Sequence, residues 1–115
     1  MIERGDKMER VYNKLVRDNI PNIIKEKGET AVVRVLDDVQ YEKELKRKLY
    51  EEVKEVDEAS DNELLEELAD VLEVIRALAK LANKDLNDVV AVADLKKEKW
   101  GAFDNKIFLE KVVQK

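Results

Sequence analysis

Turn-forming residues are scarce in this sequence. Only three glycines and one proline occur among 115 residues, while charged residues make up 43% and hydrophobic residues 44%. A β-sandwich or β-barrel needs many turns, so this composition disfavours an all-β fold and favours long helices. The length suits one domain over residues 1–115, in which the unpatterned residues 1–9 are expected to be frayed. We therefore predict an all-α helical bundle.

Two residue types with versatile chemistry are absent. The sequence has no histidine and no cysteine, which excludes disulfides, imidazole or thiolate zinc sites, and catalysis by a histidine base or cysteine nucleophile. Any catalysis must use carboxylates, amines, guanidinium groups and hydroxyls, and these groups suit a hard cation such as Mg²⁺ or Mn²⁺. No apolar run reaches membrane-spanning length and no signal-peptide pattern is present, so we expect a cytoplasmic protein without a membrane partner.

Charge is distributed unevenly along the chain. The net charge is −5, but residues 41–75 carry 5 basic and 13 acidic residues, whereas residues 76–115 carry 9 basic and 6 acidic residues. An acidic centre disfavours stable nucleic-acid binding. It is compatible with a cation site whose flanking basic groups hold an anion, and equally with a solvated helix face of mixed charge.

Hydrophobic spacing predicts one short and three long helices. They cover about residues 18–27, 38–59, 63–82 and 85–100. The expected N-terminal caps are Asp18 for the first helix, Asp61 or Asn62 for the third, and Asp85 with Asp88 for the fourth. The third helix has an apolar stripe wider than one face, which indicates burial on two sides. In so short a chain the second partner is expected to be another subunit, in a homodimer or homotetramer.

Two further segments are apolar. Residues 30–36 (TAVVRVL) are rich in β-branched residues and lie between Gly28 and Asp37, so we predict one short β element there. A single strand cannot form a sheet, and it must pair with residues 11–16 or with another subunit. Residues 103–113 are apolar enough that we expect them to dock on the helices.

Acidic residues interrupt the apolar faces of the second and third helices. With Leu45 as reference, Glu52 lies about 20° away on a helical wheel and Glu55 about 80° away. A carboxylate directed at a core is costly unless it is paired or binds metal. The third helix carries Glu67 and Asp70 at the same spacing, and its short connection makes the two helices antiparallel neighbours. The two acidic pairs can therefore form a four-carboxylate site, although acidic helices also produce such spacings by chance.

These motifs resemble a known family. Residues 51–55 (EEVKE) and 67–70 (ELAD) resemble the E-E-x-x-E and E-x-x-D signature of the MazG-like, all-α nucleoside triphosphate pyrophosphohydrolases. Residues 12–21 (YNKLVRDNIP) are similar to the start of a phosphoribosyl-ATP pyrophosphohydrolase-like subgroup, and residues 101–109 resemble its C-terminal segment. The resemblance covers about residues 11–113. The C-terminal match departs from the pattern, because Lys99-Trp100-Gly101-Ala102 replaces a more basic Gly-Gly run.

The resemblance implies a reaction and a set of site residues. It implies hydrolysis of a nucleoside triphosphate to the monophosphate and pyrophosphate, with Mg²⁺, or Mn²⁺ as a substitute, held by carboxylates of an oligomeric helical bundle. Carried over position by position, the metal ligands are Glu52, Glu55, Glu67 and Asp70. Glu51 is a further ligand or orients water, which makes Glu51, Glu52 and Glu55 the catalytic group.

Basic residues near the helix ends are candidates for substrate binding. Lys14 and Arg17 precede the first helix, and Lys97 and Lys99 lie at the end of the last one. Arg17 is the strongest candidate because its guanidinium matches phosphate oxygens, and Asn13 can hydrogen-bond the nucleotide. For each of these side chains, surface solvation or turn formation is the ordinary alternative. Trp100 can stack on a base or anchor packing.

Three functions remain open at this stage. The first is a Mg²⁺-dependent pyrophosphohydrolase that cleans the nucleotide pool. The second is a phosphoribosyl-ATP pyrophosphohydrolase of histidine biosynthesis, which shares fold and chemistry but not substrate. The third is a non-catalytic dimeric helical interaction module, in which the acidic pairs are only surface charge.

Overall fold

The chain forms helices where the hydrophobic spacing predicts them. The computed structural model describes residues 8–114, so the expected fraying of residues 1–9 falls mostly outside the described residues. Within this range the helices are α1 (Ile20–Glu26), α2 (Asp38–Glu58), α3 (Leu64–Leu81) and α4 (Leu86–Trp100), and there is no strand. The predicted all-α fold class is confirmed.

The caps of α2 and α4 follow from local sequence. The Asp37 carboxylate accepts a hydrogen bond from the backbone N–H of Gln40 at 2.8 Å, which satisfies one of the unpaired donors at the start of α2. At the start of α4, Asp85 and Asp88 each accept a hydrogen bond from the other's backbone N–H. This is the capping box that the sequence predicts.

The predicted caps of α1 and α3 are wrong. The residue before α1 is Asn19, and neither it nor Asp18 caps the helix with a side-chain hydrogen bond. Pro21 lies in the first turn, where its missing N–H leaves one donor fewer to satisfy. Before α3, Glu63 takes the place expected for Asp61 or Asn62. Its carboxylate folds back and accepts hydrogen bonds from the backbone N–H and hydroxyl of Ser60.

The core lies mainly between α2 and α3. These two helices pack against each other, α4 packs more lightly against α3, and α1 contacts no other helix among the described elements. The buried apolar residues of the described range are Leu45 on α2 and Val74 and Ala79 on α3. Glu52 is buried beside them, two turns after Leu45 on the same face of α2.

The β element predicted over residues 30–36 does not form. This segment has no regular secondary structure and makes no ladder with residues 11–16 or with any other described segment. Val32 and Val35 are almost fully exposed, because a lone strand has neither backbone partners nor a face to bury. Residues 101–114 form neither helix nor strand, and the apolar side chains of this tail do not dock on the helices: Phe103 is 96% exposed.

The chain is far more elongated than an ordinary domain of its length. Its radius of gyration is 20.4 Å and its longest dimension is 81 Å. A compact domain of 115 residues has a radius of gyration of about 13 Å. The excess length and the scarcity of buried apolar residues have one cause, since α2 and α3 are the only closely packed helix pair of the described chain. None of the described helices is both long and apolar enough to cross a membrane.

Candidate metal site

Three carboxylates converge where α2 packs on α3. Glu52 comes from α2, and Glu67 and Asp70 come from successive turns of α3. One oxygen from each side chain can be chosen so that all three lie within 4.8 Å of one another. Residues three apart on a helix are surface neighbours, so α3 presents its two carboxylates together to the one from α2. The predicted spacing thus produces a real cluster, which we call the carboxylate triad.

The triad fits a hard divalent cation. Mg²⁺ prefers oxygen ligands at 2.0–2.1 Å in octahedral geometry and usually keeps several waters. Ligand oxygens on such an ion are roughly 3 to 4 Å apart, and the three oxygens lie within 4.8 Å of one another. Glu52 is only 8% exposed, and its burial near two further carboxylates is offset, within the described residues, only by Lys48 at 3.5 Å. The triad residues are therefore the ones that would hold the cation.

The pKa of Glu67 is raised by its surroundings in the triad. Desolvation raises the pKa of the Glu67 carboxyl, and the negative charges of Glu55, Asp70 and Glu52 raise it further. Glu55 is exposed and lies outside the triad, but its charge acts on Glu67, so it faces the same region from the next turn of α2. Of the four metal ligands that the family resemblance implies, three are brought together and Glu55 lies at the edge.

The segment before α1 brings two basic residues to this site. A guanidinium nitrogen of Arg17 lies 2.6 Å from a carboxylate oxygen of Asp70, and the Lys14 ammonium lies 3.3 Å from Glu51. These ion pairs join positions 53 and 37 residues apart, so they tie the irregular N-terminal segment across the two packed helices. Two of the predicted substrate-binding residues thereby lie beside site carboxylates: Lys14 beside Glu51, predicted to be catalytic, and Arg17 beside Asp70, predicted to bind metal.

Glu51 is held ionised by lysines. Partial burial opposes its ionisation, but a hydrogen bond from Lys14 and the charges of Lys48 and Lys14 outweigh this and lower the pKa of its carboxyl. Lys48 donates to Glu51 at 3.4 Å and lies 3.5 Å from Glu52. A carboxylate with a lowered pKa remains a hydrogen-bond acceptor at neutral pH, which suits the predicted role of orienting water.

A shallow pocket of about 280 Å³ lies between the N-terminal segment and α2, and Lys48, which contacts Glu52, is one of its lining residues. Asn13 lines it and has a left-handed backbone, with φ of 46°. The residues that line the pocket come from the N-terminal segment and from one face of α2: Tyr12, Asn13, Lys14, Leu15, Glu44, Arg47, Lys48 and Glu51. The pocket therefore combines an aromatic ring, an amide and three cationic side chains with two carboxylates, Glu44 and Glu51, to which these cations are paired. Cations that leave these pairs can bind a polyanion carrying a planar group.

The lysines of α4 are not part of this arrangement. Among residues 8–114, neither Lys97 nor Lys99 forms an ion pair with a carboxylate of the site. Lys99 and Lys96 instead lie over the ring of Trp100, at 5.1 and 6.0 Å from its centre. Trp100 is itself largely exposed and does not anchor packing within the chain.

One residue that the sequence analysis overlooked is Lys48. Its side chain is 19% exposed and contacts both Glu51 and Glu52. The available signal was the spacing of Lys48 to Glu52, because residues four apart on a helix are neighbours. Such pairs are common on exposed helices, and only the burial of Glu52 distinguishes this one.

Comparison with known proteins adds no further information. No family model, curated protein or solved structure matches this chain.

Proposed function

We propose that this protein is a Mg²⁺-dependent nucleoside triphosphate pyrophosphohydrolase that releases nucleoside monophosphate and pyrophosphate. The observation that carries the proposal is the carboxylate triad, which joins a buried Glu52 to Glu67 and Asp70 with Arg17 at its edge. Three carboxylates face one another here and, in the described part of the chain, only two of them are paired with a basic side chain, so a divalent cation would relieve the remaining repulsion. The pocket lined by Lys14, Arg47 and Lys48 supplies cations for a triphosphate, and the resemblance of residues 12–21, 51–55 and 67–70 to MazG-like enzymes points to the same reaction.

Each residue has a role that follows from its position. Glu52, Glu67 and Asp70 would hold the cation, with Glu55 at the edge as a fourth ligand. When bound, Mg²⁺ supplies charge neutralisation and lowers the pKa of coordinated water. Arg17 and Lys14 bind phosphate oxygens, and Asn13 and Tyr12 hold the nucleoside end in the pocket. Glu51 accepts a hydrogen bond from the attacking water and orients it. The water oxygen bonds to the α-phosphorus, the bond to the pyrophosphate oxygen breaks, and the proton lost by the water passes to solvent.

The reaction is tested by measuring pyrophosphate release. Purified protein is incubated with a panel of canonical and damaged nucleoside triphosphates, with Mg²⁺, with Mn²⁺ and with a chelator. We expect metal-dependent formation of monophosphate and pyrophosphate in equal amounts, and the ranking within the panel identifies the substrate for a role in nucleotide-pool cleaning. Glu42→Gln is a matched control, since Glu42 lies on α2 in an exposed pair with Lys46. Metal-dependent release that is lost in Glu52→Gln and kept in Glu42→Gln supports the proposal.

Two other outcomes lead to the alternative functions. Cleavage of phosphoribosyl-ATP, without activity on nucleoside triphosphates, would identify a histidine-biosynthesis enzyme. No activity on either substrate would favour the helical interaction module, a function for which the many exposed apolar side chains are the supporting observation.

The proposal includes a homodimer or homotetramer in the cytoplasm. The support is the radius of gyration of 20.4 Å and the exposure of Leu65 and Leu68 on α3, which leave this helix short of partners within one chain. Light scattering of the purified protein tests the oligomeric state, and a mass equal to one chain would contradict this part. The lysines of α4 remain candidates for phosphate contacts in such an assembly.

A further inference from the structure

Two of the three triad carboxylates are already paired with a cationic side chain. Asp70 is paired with Arg17 at 2.6 Å, and Glu52 with Lys48 at 3.5 Å. Within residues 8–114, Glu67 has no basic group within 4.0 Å. Arg17 and Lys48 therefore contact two of the same carboxylates that would hold a divalent cation.

Lys48 differs from the other α2 lysines in its surroundings. Its side chain is 19% exposed and spans Glu51 and Glu52, whereas the similarly spaced Lys46–Glu42 pair on the same helix is exposed on both sides. Lys48 also lines the pocket beside Lys14. Because a lysine ammonium sits on a flexible four-carbon stem, it can leave the carboxylates for a ligand in that pocket without movement of the backbone.

We propose that Lys48 and Arg17 are exchangeable counter-cations of the site. In the metal-free protein they neutralise Glu52 and Asp70, and when a divalent cation takes these carboxylates the two side chains transfer to phosphate oxygens of the substrate. This inference rests on the proposed function and adds Lys48 to it as a positioning residue. It follows that the metal and the polyanion favour each other's binding. The metal replaces Lys48 and Arg17 on the carboxylates, and the polyanion binds the two side chains that are released.

The test is a Mn²⁺ titration of the metal-free protein without nucleotide, read by the electron paramagnetic resonance signal of free Mn²⁺. Lys48→Met removes the competing cation, so we expect Mn²⁺ to bind at least tenfold more tightly, because one nearby positive charge is lost. Lys46→Met is the matched control and should leave the affinity unchanged. The melting temperature of metal-free Lys48→Met should fall, because the carboxylates lose a neutralising partner, and Mn²⁺ should restore it.

Arg17→Gln is a second variant, and we expect it to change the stability of the fold little because both members of the Arg17–Asp70 pair are well exposed. It should also bind Mn²⁺ more tightly, and in turnover assays both Arg17→Gln and Lys48→Met should raise the KM for the nucleotide. Unchanged or weaker Mn²⁺ binding in both variants would overturn the inference, as would a wild-type protein that binds no Mn²⁺.

The two proposals fail in different ways. The expected Mn²⁺ responses together with no hydrolysis of any nucleotide would support the exchange of counter-cations and contradict the proposed reaction. Metal-dependent hydrolysis with the same Mn²⁺ affinity in wild type, Lys48→Met and Arg17→Gln would support the reaction and overturn the exchange.

Discussion

Replacing Glu52 with glutamine should abolish turnover and stabilise the metal-free protein. The amide keeps the shape of the side chain and removes one buried negative charge. The repulsion to Glu67 and the attraction to Lys48 then disappear, together with the desolvation penalty of the charge, whereas the Asp70 charge is already neutralised by Arg17. With an effective dielectric constant of about 20, the Glu52–Glu67 pair, no more than 4.8 Å apart, is worth roughly 3.5 kcal/mol and the Lys48 pair at 3.5 Å roughly 5 kcal/mol.

These opposing contributions leave a small net effect. The Glu67 repulsion falls short of the Lys48 attraction by about 1.5 kcal/mol, but the desolvation penalty of a buried carboxylate is several kcal/mol, and its removal leaves a net stabilisation of about 1 kcal/mol. For a domain of this size that raises the melting temperature by about 4 °C. Saturating Mn²⁺ should raise the melting temperature of the wild type, because it binds the folded state. It should have little effect on Glu52→Gln, which lacks one of the metal ligands.

The assay is thermal unfolding in a chelator and in Mn²⁺, followed by circular dichroism, alongside pyrophosphate release. Glu42→Gln serves as the control for removing a carboxylate from a lysine pair on α2. The reasoning is refuted if Glu52→Gln retains turnover. It is also refuted if the metal-free variant melts well below wild type, because Glu52 would then be stabilised by Lys48 more than it is destabilised by Glu67 and by its burial.

Three further predictions concern local structure. The pKa of Glu63 is lowered by hydrogen bonds from the backbone and the hydroxyl of Ser60. Glu63→Ala should therefore lower the melting temperature at neutral pH, and this deficit should vanish as acid protonates the wild-type carboxylate below its folded-state pKa. Gly101→Ala should destabilise the end of α4 by about 1–3 kcal/mol in urea unfolding, because φ is 82° and ψ is −178° there; no change would contradict the strain. Asp85→Ala should cost about 1 kcal/mol through loss of the α4 cap, and an unchanged urea midpoint would show that the capping box is unimportant.

Local sequence was sufficient to predict the helices but not every cap. The predicted ranges 38–59, 63–82 and 85–100 agree with α2, α3 and α4 to within a residue or two, because hydrophobic spacing and the absence of Gly and Pro act within a few turns. The α3 cap was predicted wrongly because Asp61 and Asn62 lie in the turn before the helix, and Glu63, at the cap position, makes no side-chain cap hydrogen bond. The Glu63 carboxylate bonds to Ser60 instead, which depends on how the turn from α2 folds back.

Residues 30–36 and 101–114 show which features local sequence does not predict. Residues 30–36 have the composition of a strand, but a strand exists only through its partner, and the described chain provides none. The tail residues likewise have the composition of a docking segment and remain exposed. Sequence patterns identify what a segment is able to do, whereas pairing and docking depend on the surfaces that reach it.

Some features of the candidate site follow from the sequence, and others follow only from the packing of the helices. The identity of the acidic groups, the absence of histidine and cysteine, and the helical spacing of Glu52, Glu55, Glu67 and Asp70 are properties of the sequence itself. Only packing determines that Glu52 lies near two carboxylates of α3 and that Glu55 lies outside the triad but close enough to act on Glu67. The ion pairs of Arg17 and Lys48 likewise came only from packing. The reason is physical: periodicity determines which face of a helix a side chain occupies, but distances between helices depend on how deeply their side chains interlock and on which charges are neutralised as they do so.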